Sequence, residues 1–246
     1  MEFGPLLPAD DEPVISDPAV LRRHRRERLV LAYRLFGALR WGHIGDGHIS
    51  ARDPERTDHF WLIRYGVAFN HCTLDDIVLV GPDASVVEGE GDINFTAWNI
   101  HWPILMARPD LVSAAHTHTP WGTPFSAEVR PIEPISQEAC GFYEAHSIFD
   151  DEEVEVRTLD GGKRIAEAIG HHRAIVLRNH GLLTAGASVD EAVGRFVMME
   201  RVAETAMKAR RAQPISRAAA LDARERLGSP QQAWQIFNWL IRTHLG

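Results

Sequence analysis

Leu111-Val-Ser-Ala-Ala-His-Thr-His-Thr-Pro120 is the stretch of sequence that decides the fold and the site together. Residues 111–118 are predicted to form a strand that ends before Pro120. Residues i and i+2 of a strand point to the same face, so His116 and His118 are close enough to share one metal ion. Neutral imidazole is a preferred ligand for zinc and iron-group ions. Taken alone, such a pair is also compatible with an ordinary surface strand.

A third histidine occurs in a comparable position further along the chain. Arg173–Arg178 is predicted to be a buried strand, and His180 followed by glycine closes it. This histidine alone would suit a structural role. Together the two signals predict a site in which His116, His118 and His180 hold a metal and leave coordination positions open, as catalysis requires.

The rest of the chain alternates helices and strands, which indicates an α/β protein. Helices are predicted over residues 18–39, 94–107, 163–170, 188–211 and 233–245, with Pro103 expected to kink or shorten the second, and strands over 59–64 and 77–80. We expect a flexible N-terminal arm at 1–16, a main domain at 17–212 and a C-terminal extension at 213–246. That extension is predicted to be loose until its terminal amphipathic helix.

Composition narrows the classes of function. The chain has 246 residues and a net charge of -8, which argues against nucleic acid as a partner. The basic cluster Arg22–Arg28 is interpreted as a solvated helix face. The sequence contains no run of 18 apolar residues, so no membrane-spanning helix is expected. The acidic N-terminus does not resemble a signal peptide. Cys72 and Cys140 match no metal or redox spacing. We therefore expect a cytoplasmic protein with reduced cysteines and no membrane partner.

With these patterns in place, the sequence resembles the class II aldolase/adducin family over about residues 20–212. The resemblance is carried by His116-Thr-His-Thr-Pro120, Leu177-Arg-Asn-His-Gly-Leu182, Gly47-His-Ile-Ser-Ala-Arg52, Ala107-Arg-Pro-Asp110 and Ser136-Gln-Glu-Ala139. It implies a single three-layer α/β/α domain with a central, largely antiparallel sheet. It also implies a homotetramer with sites near subunit interfaces. One divalent ion per subunit (Zn, Mn or Fe) would be held by His116, His118 and His180.

Two departures from the family pattern concern the chemistry. The sugar-phosphate aldolases carry an acid/base glutamate on the helix before the HxH strand, and spacing from His101 puts Ala97 at that position. Alanine cannot move a proton. The aldolases also have an asparagine where this chain has His48, and their phosphate-binding turns are not evident. A phosphorylated sugar is therefore not the expected substrate. The long basic tail of adducin, a cytoskeletal protein of this family, is also missing.

Within the family, the segment Gln137–Asp151 resembles a bacterial subgroup. That subgroup includes decarboxylases of hydroxylated aromatic acids and iron-dependent oxygenases of aminocoumarin biosynthesis. Decarboxylation needs an electron sink and later a proton donor, but no base beforehand. A metal that chelates a carboxylate and a neighbouring oxygen can stabilise the enolate or phenolate that forms.

Four further residues are candidates for the site. Glu138 and Tyr143 are candidate catalytic proton donors, and His48 and Ser50 are candidate substrate-binding residues for a small-molecule carboxylate. Each has an ordinary alternative: Glu138 suits a salt bridge, Tyr143 suits packing, and His48 suits a glycine-rich turn.

Three hypotheses follow for the function. The first is a metal-dependent carbon–carbon lyase, most plausibly a decarboxylase of a hydroxy-aromatic or 2-oxo acid. The second is a non-heme Fe(II) oxygenase that cleaves a 2-oxo or hydroxy acid side chain. The third is a non-enzymatic, adducin-like interaction module.

Overall fold

The computed structural model describes residues 3–246, so Met1 and Glu2 of the expected N-terminal arm lie outside the described residues. The strands are β1 (Gly47–Arg52), β2 (Phe60–Ile63), β3 (Ile77–Val80), β4 (Val86–Glu88), β5 (Ser113–Thr117), β6 (Ser147–Phe149), β7 (Ala174–Leu177) and β8 (Gly181–Gly186). The helices are α1 (Pro18–Ala38), α2 (Phe95–Ala107), α3 (Gly122–Ser126), α4 (Leu159–Ile169), α5 (Val189–Lys208), α6 (Arg217–Leu227) and α7 (Pro230–Leu245).

The sheet has β5 near its centre. Its eight strands run in the order β4-β3-β2-β1-β5-β8-β7-β6, and every pair is antiparallel except β6 with β7. In the register of β1 with β5, His48 lies directly opposite His116. Opposed residues of an antiparallel pair share a face of the sheet. The strand pairing therefore brings two of the sequence's candidate histidines together.

Alternate strand residues supply two separate cores. On one face Ile49, Trp61 and Leu79 pack with α1, α5 and α7, and on the other Leu62, Val78 and Leu183 pack with α2 and α4. A sheet buried on both faces shows continuous rather than alternating burial, as β1, β3 and β7 do. The predicted three-layer α/β/α domain with a largely antiparallel sheet is confirmed.

The basic cluster of α1 differs from the prediction of a solvated face. Four of its arginines are partly buried and bonded: Arg22 to Asp53 and Glu88, Arg25 to the Arg52 carbonyl, Arg26 to the Leu74 carbonyl, and Arg28 to Asp190 and Asn238. The aliphatic part of an arginine side chain can cover apolar surface while its guanidinium stays charged and bonded. Residue type alone therefore does not show whether an arginine is solvated or lies between packed helices and strands. The cluster ties α1 to the sheet, α5 and α7.

The C-terminal segment is more regular than predicted. Residues 217–227 form α6 instead of a loose stretch, and Ser216 accepts a hydrogen bond from the Ala219 amide as its N-cap. Few apolar residues of α6 are buried, among them Ala220 and Leu227 beside Cys140. The sequence therefore lacks the apolar stripe that would have indicated this helix. Across residues 3–246, none of the helices combines the length and apolar character of a membrane span.

Helix α2, which continues to Ala107 despite Pro103, meets α4 at a close backbone contact. Proline has no N–H, so the Asn99 carbonyl one turn earlier loses its helical partner. Gly162 of α4 lies against that oxygen, and a Cβ added at Gly162 would come within 1.7 Å of it. A Cβ at the neighbouring Gly161 would meet only the flexible end of the Glu153 side chain.

We expect Gly162→Ala to lower the free energy of unfolding by about 2–3 kcal/mol, because the helices must move apart to admit the methyl group. Gly161→Ala is the matched control, and it should be neutral or stabilising by up to about 1 kcal/mol through helix propensity. Urea unfolding followed by circular dichroism measures both changes. Equal effects of the two variants would contradict the close contact.

Candidate functional site

Three histidines meet at one end of the central strands. His116 lies on β5, His118 follows the last residue of that strand, and His180 comes from the turn between β7 and β8. One ring nitrogen from each lies within 4.8 Å of those of the other two. The ring centroids of His116 and His180 are 4.6 Å apart, and those of His118 and His180 are 5.0 Å apart. The structure thus brings together the three residues predicted from the sequence as metal ligands.

The turn that carries His180 depends on unusual backbone conformations. Asn179 has φ +55° and Gly181 has φ +149°, both on the positive side that most residues avoid. Asparagine tolerates the left-handed region, and glycine has no Cβ to clash. A Cβ at Gly181 would also approach within 3.5 Å of His116 Cε1. The order Asn-His-Gly therefore places His180 against His116.

Hydrogen bonding and burial prepare His116 to bind a metal. Its Nδ1 lies 2.7 Å from the Leu182 carbonyl oxygen, so Nδ1–H donates and Nε2 is left with a lone pair. Burial holds the pKa of His116 well below its usual value and lowers the pKa of His180 to about 4. Both imidazoles are therefore neutral near pH 7, which is the form that binds metals.

The donor set fits a divalent cation. Three nitrogens at about 2.1 Å from a tetrahedral centre would lie roughly 3.4 Å apart, and the observed limit of 4.8 Å is within a small side-chain adjustment of that arrangement. His118 is the exposed member, with 41% of its side chain accessible, so the cluster opens to solvent on this side. Three imidazoles with an open side suit zinc, manganese or iron and leave room for substrate oxygens.

A chain of buried polar groups adjoins the three histidines. Ser50 Oγ lies 2.6 Å from His101 Nδ1, and His101 Nε2 lies 2.7 Å from His48 Nδ1. The His48 ring centroid is 5.0 Å from that of His116. All three members of the chain are almost completely buried. Burial lowers the pKa of His101 to about 3, so the chain is uncharged near pH 7.

His48 also lines a cavity of about 300 Å³. The walls are the glycine-rich segment 42–47, the end of β2 and the loop that follows it, and they are mainly apolar through residues such as Leu62, Val67 and Phe69. This volume is in the range of small-molecule sites. The structure therefore gives His48 access to a ligand, whereas the Ser50 hydroxyl is enclosed and engaged by His101.

Ala97 lies on α2, one helical turn before His101. Its side chain is fully buried in the core between the sheet, α2 and α4. The helix thus presents a methyl group where the related aldolases are expected to carry a carboxylate, and it presents His101 to the site one turn later. His101 is the functional candidate that the sequence interpretation missed. Its spacing of four residues from Ala97, which puts both on one helix face, was the available signal.

Glu138 and Tyr143 lie in a segment that packs against α5 and α6. Glu138 is 3.8 Å from Arg201 in a partly exposed ion pair, and Tyr143 packs beside Cys140 against α6. Within one chain, neither side chain hydrogen-bonds with the three histidines among residues 3–246. The structure does not bring these two candidates into the cluster.

Glu200 of α5 supports the segment directly after His118. Its carboxylate accepts hydrogen bonds from the Thr119 hydroxyl at 2.6 Å and from the amides of Trp121 and Gly122 at 2.9 and 2.7 Å. Burial raises the pKa of this carboxyl group, while these three bonds oppose the increase. A buried acceptor that satisfies three donors at once fixes the end of β5, and with it the position of His118.

Known proteins resemble this chain in sequence and in fold. The family model described as "Class II Aldolase and Adducin N-terminal domain" matches residues 27–207. The decarboxylase NovR of Streptomyces niveus is 38% identical over 200 residues, covering 79% of this chain and 74% of NovR. A 4-hydroxy-3-prenylphenylpyruvate oxygenase/4-hydroxy-3-prenylbenzoate synthase of Streptomyces roseochromogenus subsp. oscitans is 35% identical, covering 94% of this chain and 87% of its own.

Among solved structures, the L-fuculose 1-phosphate aldolase of Glaciozyma antarctica PI12 superposes with a TM-score of 0.87 at 30% identity. The match covers 94% of this chain and 92% of that one. Because the match covers nearly the whole of both chains, the two proteins share the sheet and its flanking helices.

Proposed function

Because the chain belongs to the class II aldolase and adducin family, we propose that it is a divalent-metal-dependent carbon–carbon lyase that decarboxylates a hydroxy-aromatic or 2-oxo acid. One observation carries the proposal: the three-histidine cluster is complete, while Ala97 stands buried at the position expected for an acid/base carboxylate. Loss of that carboxylate disables aldol proton transfer but leaves decarboxylation possible, since no proton has to be removed first. The relative named as a decarboxylase supports this choice.

His116, His118 and His180 would hold the cation, with His116 using Nε2. A bound divalent cation supplies a Lewis acid for a carboxylate and its neighbouring oxygen. The apolar walls of the cavity beside His48 exclude water from the carbon skeleton of the substrate. Apolar walls also favour an acid with an aromatic or aliphatic body over a sugar phosphate.

His48 is proposed to bind the substrate carboxylate through Nε2. If the Ser50 hydroxyl donates to His101 Nδ1, then His101 Nε2–H donates to His48 Nδ1, and His48 Nε2–H points away from the chain as a donor. If both hydrogen bonds of the chain run in the opposite direction, His48 Nε2 becomes an acceptor. Both states are uncharged, and an anionic substrate favours the donor state. Ser50, proposed from the sequence to bind substrate, acts in this arrangement through His101.

Glu138 and Tyr143 remain proposed proton donors only for an assembly of several chains. Because the Glu138 and Tyr143 side chains do not meet the three histidines within one chain, a neighbouring subunit would have to supply them. We propose a homotetramer with its sites at the subunit interfaces, as the family resemblance implies.

The test is carbon dioxide release by the purified, metal-replete protein supplied with hydroxy-aromatic and 2-oxo acids. Decarboxylation that requires added Zn²⁺, Mn²⁺ or Fe²⁺ supports the proposal. Aldol cleavage of a sugar phosphate, without carbon dioxide release from any acid, would sink it.

A second candidate function is an Fe(II) oxygenase. The relative whose name includes an oxygenase matches 94% of this chain, a larger share than the relative named as a decarboxylase. Turnover that consumes O₂ and requires iron would favour this function. Full turnover without oxygen, with zinc or manganese as the metal, would exclude it.

We expect His101→Phe to lower kcat/KM roughly tenfold to a hundredfold, the range for losing a partner that orients a site residue. His48 would keep its place but lose the bond that fixes its ring and tautomer. Because His101 is a positioning residue, metal content should stay unchanged, and the loss should be partly rescued in His101→Gln. His59→Phe, which replaces a histidine outside the cavity walls, is the control. Loss of metal in His101→Phe would contradict this role.

A further inference from the structure

A second groove lies at the opposite end of the sheet from the three histidines. It has a volume of about 570 Å³ and is lined by residues that include His171, His172, Arg173, Arg195 and Arg224. Arg173 precedes the first residue of β7, whereas His180 follows its last. Four strand residues span roughly 13 Å, so this groove is separate from the proposed metal site.

Arg195 is the unusual residue in this groove. Only 7% of its side chain is exposed, and Nη2 donates to Glu191 Oε1 at 2.9 Å and to the Gly228 carbonyl at 3.1 Å. Its Nε is buried and has no hydrogen-bond partner within residues 3–246. A buried N–H of a charged group without an acceptor is costly, and such a group requires a physical explanation. Because Nε has almost no accessible surface, Arg195 contributes a fixed positive charge to the wall of the groove, and accessible neighbours must supply the contacts to a ligand.

The guanidinium groups of the groove are short of carboxylate partners. Arg173 and Arg195 share the single carboxylate of Glu191. Arg224 donates only to the backbone carbonyls of Tyr143 and Glu144. Carbonyl oxygens carry no net charge, so the charge of Arg224 is not neutralised by these bonds. Three arginines therefore line the groove, two of them sharing Glu191, and the carboxylates of Glu144 and Glu225 lie at its wall.

The other acidic groups nearby are engaged or exposed. The Glu144 carboxylate is held by Arg217 through two bonds of 2.8 Å, and Glu225 is exposed on α6. Asp110, 3.8 Å from Arg173, is already paired with Arg108. None of these carboxylates provides an acceptor for Arg195 Nε.

The start of α7 adds a favourable dipole. This helix has 16 residues, and its N-cap Ser229 and first residue Pro230 both line the groove. The N-terminus of a helix carries partial positive charge and attracts anions. Guanidinium groups next to a helix N-terminus suit phosphate, because its several oxygens accept hydrogen bonds from different directions.

We propose that this groove binds a small organic phosphate, with the free donors of Arg224 directed at the phosphoryl oxygens and Arg195 supplying a fixed positive charge beside them. The volume exceeds what inorganic phosphate alone would fill, so the ligand carries an organic portion as well. The proposal is independent of the reaction at the three histidines. It gives the protein a second ligand site for a compound that is not its substrate.

Calorimetric titration with inorganic pyrophosphate tests the site, with sodium chloride at the same ionic strength as the reference. We expect saturable binding that weakens roughly tenfold in Arg224→Gln, as the loss of one charge-assisted bond implies. Arg226→Gln, two residues away on α6 and outside the groove, is the matched control and should bind as the parent does. Equal weakening in both variants, or no binding beyond that of chloride, overturns the proposal.

Two further variants separate the groove from the metal site. His116→Ala should retain pyrophosphate binding, since the two sites lie at opposite ends of β7. Arg195→Gln removes the fixed charge of this side chain, and it should weaken binding while circular dichroism shows a folded protein. Loss of binding in His116→Ala would place the anion at the metal site instead, and would overturn the proposal even if decarboxylation is confirmed.

Discussion

Replacement of His116 by alanine is expected to remove the bound metal and to lower carbon dioxide release at least about a hundredfold. Loss of the outer partners of metal ligands alone costs roughly 10- to 100-fold in affinity or activity, and His116 is proposed as a ligand itself. Its Nε2 faces the other two histidines because Nδ1 donates to the Leu182 carbonyl.

The measurement combines elemental analysis of the purified variant with the carbon dioxide assay. His244→Ala, which removes an exposed histidine near the end of α7, should leave both unchanged. The same experiment decides against an adducin-like interaction module, for which the three histidines would be dispensable. Full metal occupancy in His116→Ala would show that the ion is bound elsewhere.

Replacement of Arg52 by alanine is expected to lower the free energy of unfolding by about 3–5 kcal/mol. This arginine is buried at the end of β1, and its guanidinium donates to the carbonyls of Leu105 and Arg108 at the end of α2, and of Leu111 just before β5. It also donates to the Thr57 carbonyl at 2.5 Å. Removing the guanidinium leaves several of these buried acceptors without partners, and each costs about 1–3 kcal/mol before relaxation.

Arg52→Lys should recover only part of this loss, because an ammonium group cannot reproduce the planar fork that bridges separate carbonyls. Arg23→Ala is the control, since Arg23 is exposed on α1 and forms only a solvent-screened i,i+4 pair with Glu27. Denaturant unfolding gives the free energies. A loss in Arg52→Ala no larger than in Arg23→Ala would refute the bridging role.

The central strand and the histidine cluster were predictable because both depend on local pattern. A strand period of two puts His116 and His118 on one face whatever the rest of the fold does. The position of His180 followed from the end of a strongly apolar strand. Strand β8 was not predicted as such, because its residues Gly181–Gly186 follow β7 after a turn of only three residues and the two appear as one apolar region.

What the sequence left open depends on long-range contact. His101 was not among the candidate site residues, and only the pairing of β1 with β5 shows that His48 and Ser50 face it from the sheet. The arginines of α1 look like a solvated face because residue type does not reveal a partner far along the chain. Pairing across 162 residues, as between Arg28 and Asp190, has no local signal.

The burial of Ala97 limits what one substitution can introduce at this position. Ala97→Glu would insert a carboxylate into a core filled by apolar side chains of α2, α4 and the sheet. An unpaired buried charge costs far more than one domain can lose, so the variant would unfold or keep its carboxyl group protonated. A working acid/base carboxylate at this position would therefore require several coordinated changes around α2.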